Sequence, residues 1–275
     1  MQTTTGYLET NGGRIYYEVA GAGTPLLLLH AGICDCRMWD EQWAAFAAHH
    51  RVIRLDLRGF GHTTTEDVSF SNRQDLLDLL DHLGLERASV VGVSRGGQIA
   101  IDFALDYPER IAALIPVCAG ISGYQPDEAL IDPREIALFE QMEAAEEAED
   151  WPLVASVDVR LWVDGPLQAE GRAAASVRER VYAMSMNNYQ PVRVSGQAQP
   201  LDPPAAGRLG ALGVPTLVIV GDLDTSATQQ MAKALAAGIG GAQQTVISGA
   251  AHLPNMERPE EFNALVLDFL TAKGL

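Results

Sequence analysis

Apolar residues along the chain gather into short runs set off by glycine, proline and polar residues. Leu26-Leu27-Leu28-Leu29, Arg51-Val52-Ile53-Arg54-Leu55, Val90-Val91-Gly92-Val93, Ile111 to Val117 and Thr216 to Val220 are such runs, with Gln244 to Ile247 the last of the series. Stretches this short, bounded by turn residues, predict strands buried on both faces, as in a parallel sheet. Ahead of them, Tyr7 to Thr10 and Arg14 to Val19 flank Asn11-Gly12-Gly13, which predicts a β-hairpin. Helical spacing lies between the runs. Ser71-Asn72-Arg73-Gln74 fits a capping box that opens a helix through Leu76, Leu77, Leu80 and Leu83, with Gly84 as its stop. Gln98 to Ala104 and Glu260 to Thr271 predict two more helices. Alternating strands and helices predict an α/β fold, a mostly parallel central sheet with helices on both faces. Sites in such sheets form beyond the carboxyl ends of the strands, so His30, Ser94 and the loops after Val117, Val220 and Ile247 should meet at one edge.

One stretch departs from the alternation. Ser122 to about Pro204 holds no convincing strand but much helical pattern, around Ile136 to Met142, Leu153 to Val163 and Ala173 to Met184. We read residues 1–121 and 205–275 as the core and 122–204 as a helical cap insertion lying over the site. Its acidic run, Glu143 to Asp150, reads as a solvated helix face. Trp151, Trp162, Tyr182, Met184, Met186 and Tyr189 are candidates either for pocket lining or for ordinary core. Gly21-Ala22-Gly23-Thr24-Pro25 precedes a strand where a phosphate loop would join a strand to a helix, so it is not read as one.

Composition narrows the choice of partner. A net charge of −17 over 275 residues leaves no basic surface for phosphates, which argues against a nucleic-acid ligand. No apolar run approaches a membrane span, and Met1-Gln2-Thr3-Thr4-Thr5 lacks a signal-peptide pattern. Cys34, Cys36 and Cys118 are odd in number and without zinc spacing, so free thiols in the cytoplasm are expected. Cys34 and Cys36 read as packing residues; at a pocket mouth they would instead make activity sensitive to alkylation. No cofactor or metal is expected, and the partner is a small-molecule ester or lactone.

The chemistry centres on Gly92-Val93-Ser94-Arg95-Gly96-Gly97. A strand enters and a helix leaves, and Gly92 and Gly96 carry no Cβ, so the turn can close and present the Ser94 hydroxyl. Serine needs a base. His252, in the small-residue loop Ser248-Gly249-Ala250-Ala251-His252 after the last strand, stands at the right edge. His82 reads as surface, and His49 and His50 as solvated. The base needs an acid, and Gly221-Asp222-Leu223-Asp224 offers Asp222 or Asp224. Arg95 adds a cation beside the nucleophile, to bind an anionic substrate or to pair with a helix carboxylate.

His30-Ala31-Gly32, Asp56-Leu57-Arg58-Gly59-Phe60-Gly61 and the three segments just quoted together resemble the α/β-hydrolase superfamily, in its serine esterase and lactonase branch. The resemblance covers nearly all of the chain outside the insertion. It implies a carboxylic ester hydrolase acting through an acyl-serine, with Ser94, Asp224 and His252 catalytic and the amides of Arg95 and Gly32 forming the oxyanion hole. It gives His30 a loop-orienting role. Ala31 stands where glycine usually follows that histidine, which leaves Ile33 as an alternative amide donor. Lactone and carbon–carbon bond hydrolases share this triad, and a non-hydrolytic receptor of the same fold is the reading from another class.

Overall fold

The computed structural model describes residues 2–189 and 196–275. It opens with the expected hairpin, β1 (Thr3–Thr10) and β2 (Gly13–Ala20), followed by β3 (Pro25–Leu29), α1 (Asp40–Ala47) and β4 (Arg51–Leu55). Two-residue strands β5 (Thr64–Thr65) and β6 (Ser69–Phe70) precede α2 (Asn72–His82), β7 (Ala88–Val93), α3 (Arg95–Asp106) and β8 (Ile111–Val117). Helices α4 (Pro133–Glu147), α5 (Trp151–Asp158) and α6 (Ala175–Asn188) come next, with β9 (Gln197–Ala198) behind them. The chain ends with β10 (Leu217–Gly221), α7 (Ser226–Gly238), β11 (Gln243–Ile247), α8 (Pro254–Glu257) and α9 (Pro259–Ala272).

Among the described residues the main sheet runs β1-β2-β4-β3-β7-β8-β10-β11, with β5 beside β2. Pairing is antiparallel from β1 to β4 and parallel from there on. Leu26 to Leu29 are fully buried, as the unbroken leucine run requires; each such side chain contributes about 1.5–3 kcal/mol by leaving water. Helices cover both faces. α3 packs on β7, β8 and α2, while α1 packs on α8 and α9, where Trp39 meets Phe262. Ser71 caps α2 by accepting from the Gln74 amide at 3.3 Å, and Gly84 ends that helix at φ 66°. No described helix is long and apolar enough to cross a membrane.

Three details differ from the sequence reading. The chain between Ser122 and Pro204 does contain a strand, β9, paired in parallel with β6. Two residues meeting a partner about 130 positions earlier leave no periodicity to read. α5 runs on as a π-helical turn over Val159–Asp164. His50 is buried and bonded through Nδ1 to Thr24 Oγ1 at 2.9 Å, where a solvated residue was expected. Residues 190–195, within the stretch read from sequence as an insertion, lie outside the described residues. The acidic run is mostly exposed along the end of α4, as a solvated face would be.

Candidate active site

β7 delivers Ser94 to the carboxyl edge of the sheet. Its backbone sits at φ 53°, ψ −114°, a conformation that costs a non-glycine residue on the order of 1–3 kcal/mol and persists only where the surroundings enforce it. The enforcement is steric. A methyl group on Gly92 would lie 2.4 Å from Gly96 O, and one on Gly96 would lie 2.4 Å from Leu29 O. The Ser94 amide donates to Val117 O at 2.8 Å, fixing the turn against β8. Arg95 opens α3, so its amide has no acceptor within the helix.

Opposite lies the loop after β3. His30 is fully buried; the Leu57 amide donates to its Nε2 at 2.9 Å, so the proton sits on Nδ1, which donates to Ala31 O at 2.8 Å. Burial lowers the His30 pKa. A histidine held this way shapes the loop and is not free to act as a base. The Cys34 amide donates to Ala31 O at 3.0 Å, turning the chain across Gly32 and Ile33. Buried Asp56 ties this loop to the next by accepting from the amides of Cys36 at 2.8 Å and His62 at 2.7 Å. Arg58 anchors that second loop through a two-bonded pair with Asp75, both contacts 2.7 Å.

His252 and Asp224 are both buried, and His252 Nδ1 lies 2.7 Å from Asp224 Oδ2 and 2.9 Å from Oδ1. The pairing orients the imidazole and leaves Nε2 as the ring nitrogen available to a substrate-side partner. Asp222 does something else. It accepts from the Gly249 amide at 2.6 Å and Ser248 Oγ at 3.0 Å, clasping the loop that carries His252. Of the two candidate acids, Asp224 is therefore the one that meets the histidine.

The family can now be read from comparison. The Alpha/beta hydrolase family model matches residues 26–265. The chain belongs to the alpha/beta hydrolase family. It is 31% identical to 2-hydroxy-6-oxo-6-phenylhexa-2,4-dienoate hydrolase of Comamonas testosteroni, over 93% of this chain and 91% of that protein. A solved thermophilic esterase from Thermogutta terrifontis is 27% identical, with a TM-score of 0.76 and 99% of each chain covered. The enol-lactonase from Burkholderia xenovorans LB400 is 26% identical, with a TM-score of 0.69, covering 96% of this chain and 99% of that one.

In this alpha/beta hydrolase the His252 loop rests on groups that sequence reasoning did not single out. The Glu257 carboxylate accepts from the Ala251 amide at 3.0 and 3.1 Å. Arg172, from the segment between the π turn and α6, pairs with Glu257 and donates to Gly249 O at 2.8 Å. Burial pushes the Glu257 acid up, and Arg172 opposes that shift. The His252 amide donates to Trp162 O at 3.1 Å, and the two rings lie 4.4 Å apart. Trp162 in turn hydrogen-bonds buried Asp158, which also accepts from Ser185 Oγ at 2.7 Å and Tyr189 Oη at 2.8 Å. Cys118, directly after β8, puts its thiol 3.8 Å from Ala251 O. Its place directly after Val117, at the edge where the loops were expected to meet, was the sequence signal that bore on it.

The remaining candidates divide. Trp162 reaches the site, Trp151 stacks on Tyr189, Met184 is core, and Tyr182 is exposed. Cys34 and Cys36 are buried, and burial pushes both thiols up, so they are packing residues shielded from alkylation. Among the described residues, two sets of donors are close enough together to hold a metal, Cys118-Asp224-His252 and Asp35-Cys36-Asp56. Their carboxylates already accept from protein donors: Asp224 from Thr225 and His252, Asp35 from Arg37, Asp56 from two amides.

Proposed function

We propose that this alpha/beta hydrolase cleaves a carboxylic ester through an acyl-Ser94 intermediate. The observation that carries the reading is the buried Asp224–His252 pair, set at the same sheet edge as a serine in a forced turn. Likeness to a solved esterase supports it. In this scheme His252 takes the Ser94 proton as Oγ attacks the carbonyl carbon, and Asp224 stabilises the imidazolium. The Arg95 amide and that of Gly32 hold the oxyanion; losing one such donor commonly costs about 100- to 1,000-fold. His252 passes its proton to the departing alcohol. It then takes one from water as that water attacks the acyl carbon, and returns it to Ser94 Oγ as the acyl bond breaks and the acid leaves.

We assign residues 122–204 the role of cap. The contacts of Trp162 and Arg172 with the His252 loop support this. A small-molecule substrate is implied, and three unpaired thiols favour the cytoplasm. Hydrolysis of a lactone, or of a dienoate at a carbon–carbon bond, is the second reading, favoured by the likeness to the dienoate hydrolase and the enol-lactonase.

The test is covalent capture. A fluorophosphonate should add one mass increment at Ser94, and Ser94→Ala should take no label and lose ester turnover by several orders of magnitude while staying folded. Near-normal turnover by that variant would falsify the mechanism. Labelling with no turnover of simple esters would move the assignment to a lactone or carbon–carbon bond. A ligand-dependent rise in Tm without labelling would favour a receptor.

A further inference from the structure

The side chain of Arg95 leaves the first turn of α3 alongside the candidate oxyanion loop. A methyl group placed on Gly32 would lie 3.6 Å from its Cδ and 3.7 Å from its Cβ, and its guanidinium carbon lies 5.6 Å from the centre of the Phe60 ring. Arg95 lines a cavity of about 270 Å³. Partial burial lowers the affinity of its guanidinium for a proton, and no carboxylate among the described residues offsets that.

The other charged groups of this cavity are engaged. Arg73 donates to Asp106 at 2.7 Å, to Gln199 O at 3.1 Å and to Pro200 O at 3.4 Å. Asp102 accepts from Ser122 Oγ at 2.8 Å and from Gln98. Among the described residues, what the cavity offers a ligand is the Arg95 guanidinium, on the residue whose amide we assign to the oxyanion. Of the two roles open to Arg95 from sequence, pairing with a helix carboxylate is not the one the structure displays.

Resting on the ester-hydrolase reading above, we propose that Arg95 is the receptor for a carboxylate carried by the substrate near its scissile carbonyl. The substrate class is then the half-esters of short dicarboxylic acids, and not neutral esters. Guanidinium and carboxylate suit each other geometrically, and a charge-assisted pair is about twice as strong as a neutral hydrogen bond. The N-terminus of α3 lies on the same side and also favours negative charge. A purely structural role, with the guanidinium resting on Phe60, would add a little to the stability of the fold and nothing to substrate choice.

The test compares monomethyl glutarate with methyl hexanoate, similar in length and different in charge, by chromatography of the released acid. Wild type, Arg95→Lys and Arg95→Gln are assayed at low and high ionic strength, with circular dichroism to check folding. Wild type should favour monomethyl glutarate by about tenfold or more in kcat/KM, and salt should erode that ratio. Arg95→Lys should keep part of the preference, and Arg95→Gln should lose it, mainly through KM for the anionic ester. Turnover of both esters without discrimination, or an unchanged ratio in Arg95→Gln, overturns the carboxylate receptor and leaves the ester reading standing. Turnover of neither ester by wild type overturns the ester reading and this inference with it.

Discussion

Within the Ser94 turn the constraints come from main-chain atoms of the neighbouring strand ends and of the first turn of α3. Gly92 faces Gly96, Gly96 faces Leu29, and the amide of Ser94 is taken by Val117. The loop that carries His252 is held quite differently. Asp222 grips it from just beyond β10, Glu257 from the helix that follows, and Trp162 and Arg172 from the segment between α5 and α6. One half of the candidate site is thus fixed by the absence of side chains at two positions, the other by charged groups drawn from across the chain. The first kind of constraint leaves a short motif. The second leaves only scattered polar residues.

Four experiments press on that difference, in descending order of effect. The largest concerns the acid. Asp224→Asn should lower kcat by about 10⁴-fold, because it disfavours the imidazole tautomer and the imidazolium that the reaction needs. Asp222→Asn should lose less than about tenfold, since it only loosens a clasp that Glu257 and Trp162 also provide. Equal losses, or the reverse ranking by steady-state kinetics, would exchange the two roles.

That ranking also marks how far the residues themselves could be read. The buried leucine run, the β7–Ser94–α3 turn, the hairpin and the α2 cap all follow from local pattern, and the structure has them where expected. Between Asp222 and Asp224, spacing alone left the choice open, because both follow the same strand and only the direction of the side chain separates them. Nothing local marked Glu257 or Arg172, whose partners lie 6 and 85 residues away. The β6–β9 pair went unseen for the same reason, and so did the burial of His50.

Next comes the turn itself. Gly96→Ala forces a methyl group to 2.4 Å from a main-chain carbonyl that cannot swing aside, and should cost about 3 kcal/mol in urea unfolding. Gly207→Ala, where no heavy atom lies within 4 Å, is the control and should stay within about 0.5 kcal/mol. Similar costs at both positions would mean that the turn is not sterically enforced. The corresponding blow to the other half is electrostatic. Arg172→Gln strands the buried Glu257 carboxylate, and Glu257→Gln strands the arginine. The double variant should therefore recover about 1–3 kcal/mol relative to the sum of the singles. Each single should reduce kcat about tenfold, more than it changes KM, because the histidine loop is loosened while the rest of the pocket stays in place. An additive cycle with normal kcat per folded molecule would reduce the pair to a surface contact.

The smallest effect tests whether a titrating group stands behind the His252 half. Asp158 is buried under Trp162, and burial pushes its acid up to about 6, above the value near 3.9 of an unfolded chain. Between those two values the folded protein holds a proton that the unfolded chain has already released. Stability contributed by this group is therefore full below about pH 4 and is lost as pH rises through about 6. Asp158→Asn removes the titration and keeps an oxygen for Ser185 or Tyr189 to donate to. Measured by denaturant unfolding from pH 4 to pH 7, the variant should gain on wild type by about 1–3 kcal/mol. Parallel stability curves would show that the carboxylate ionises freely in the folded protein. The ring against His252 would then rest on packing alone, with no group behind it that responds to acid, and the His252 loop would be held by fixed charges and contacts only.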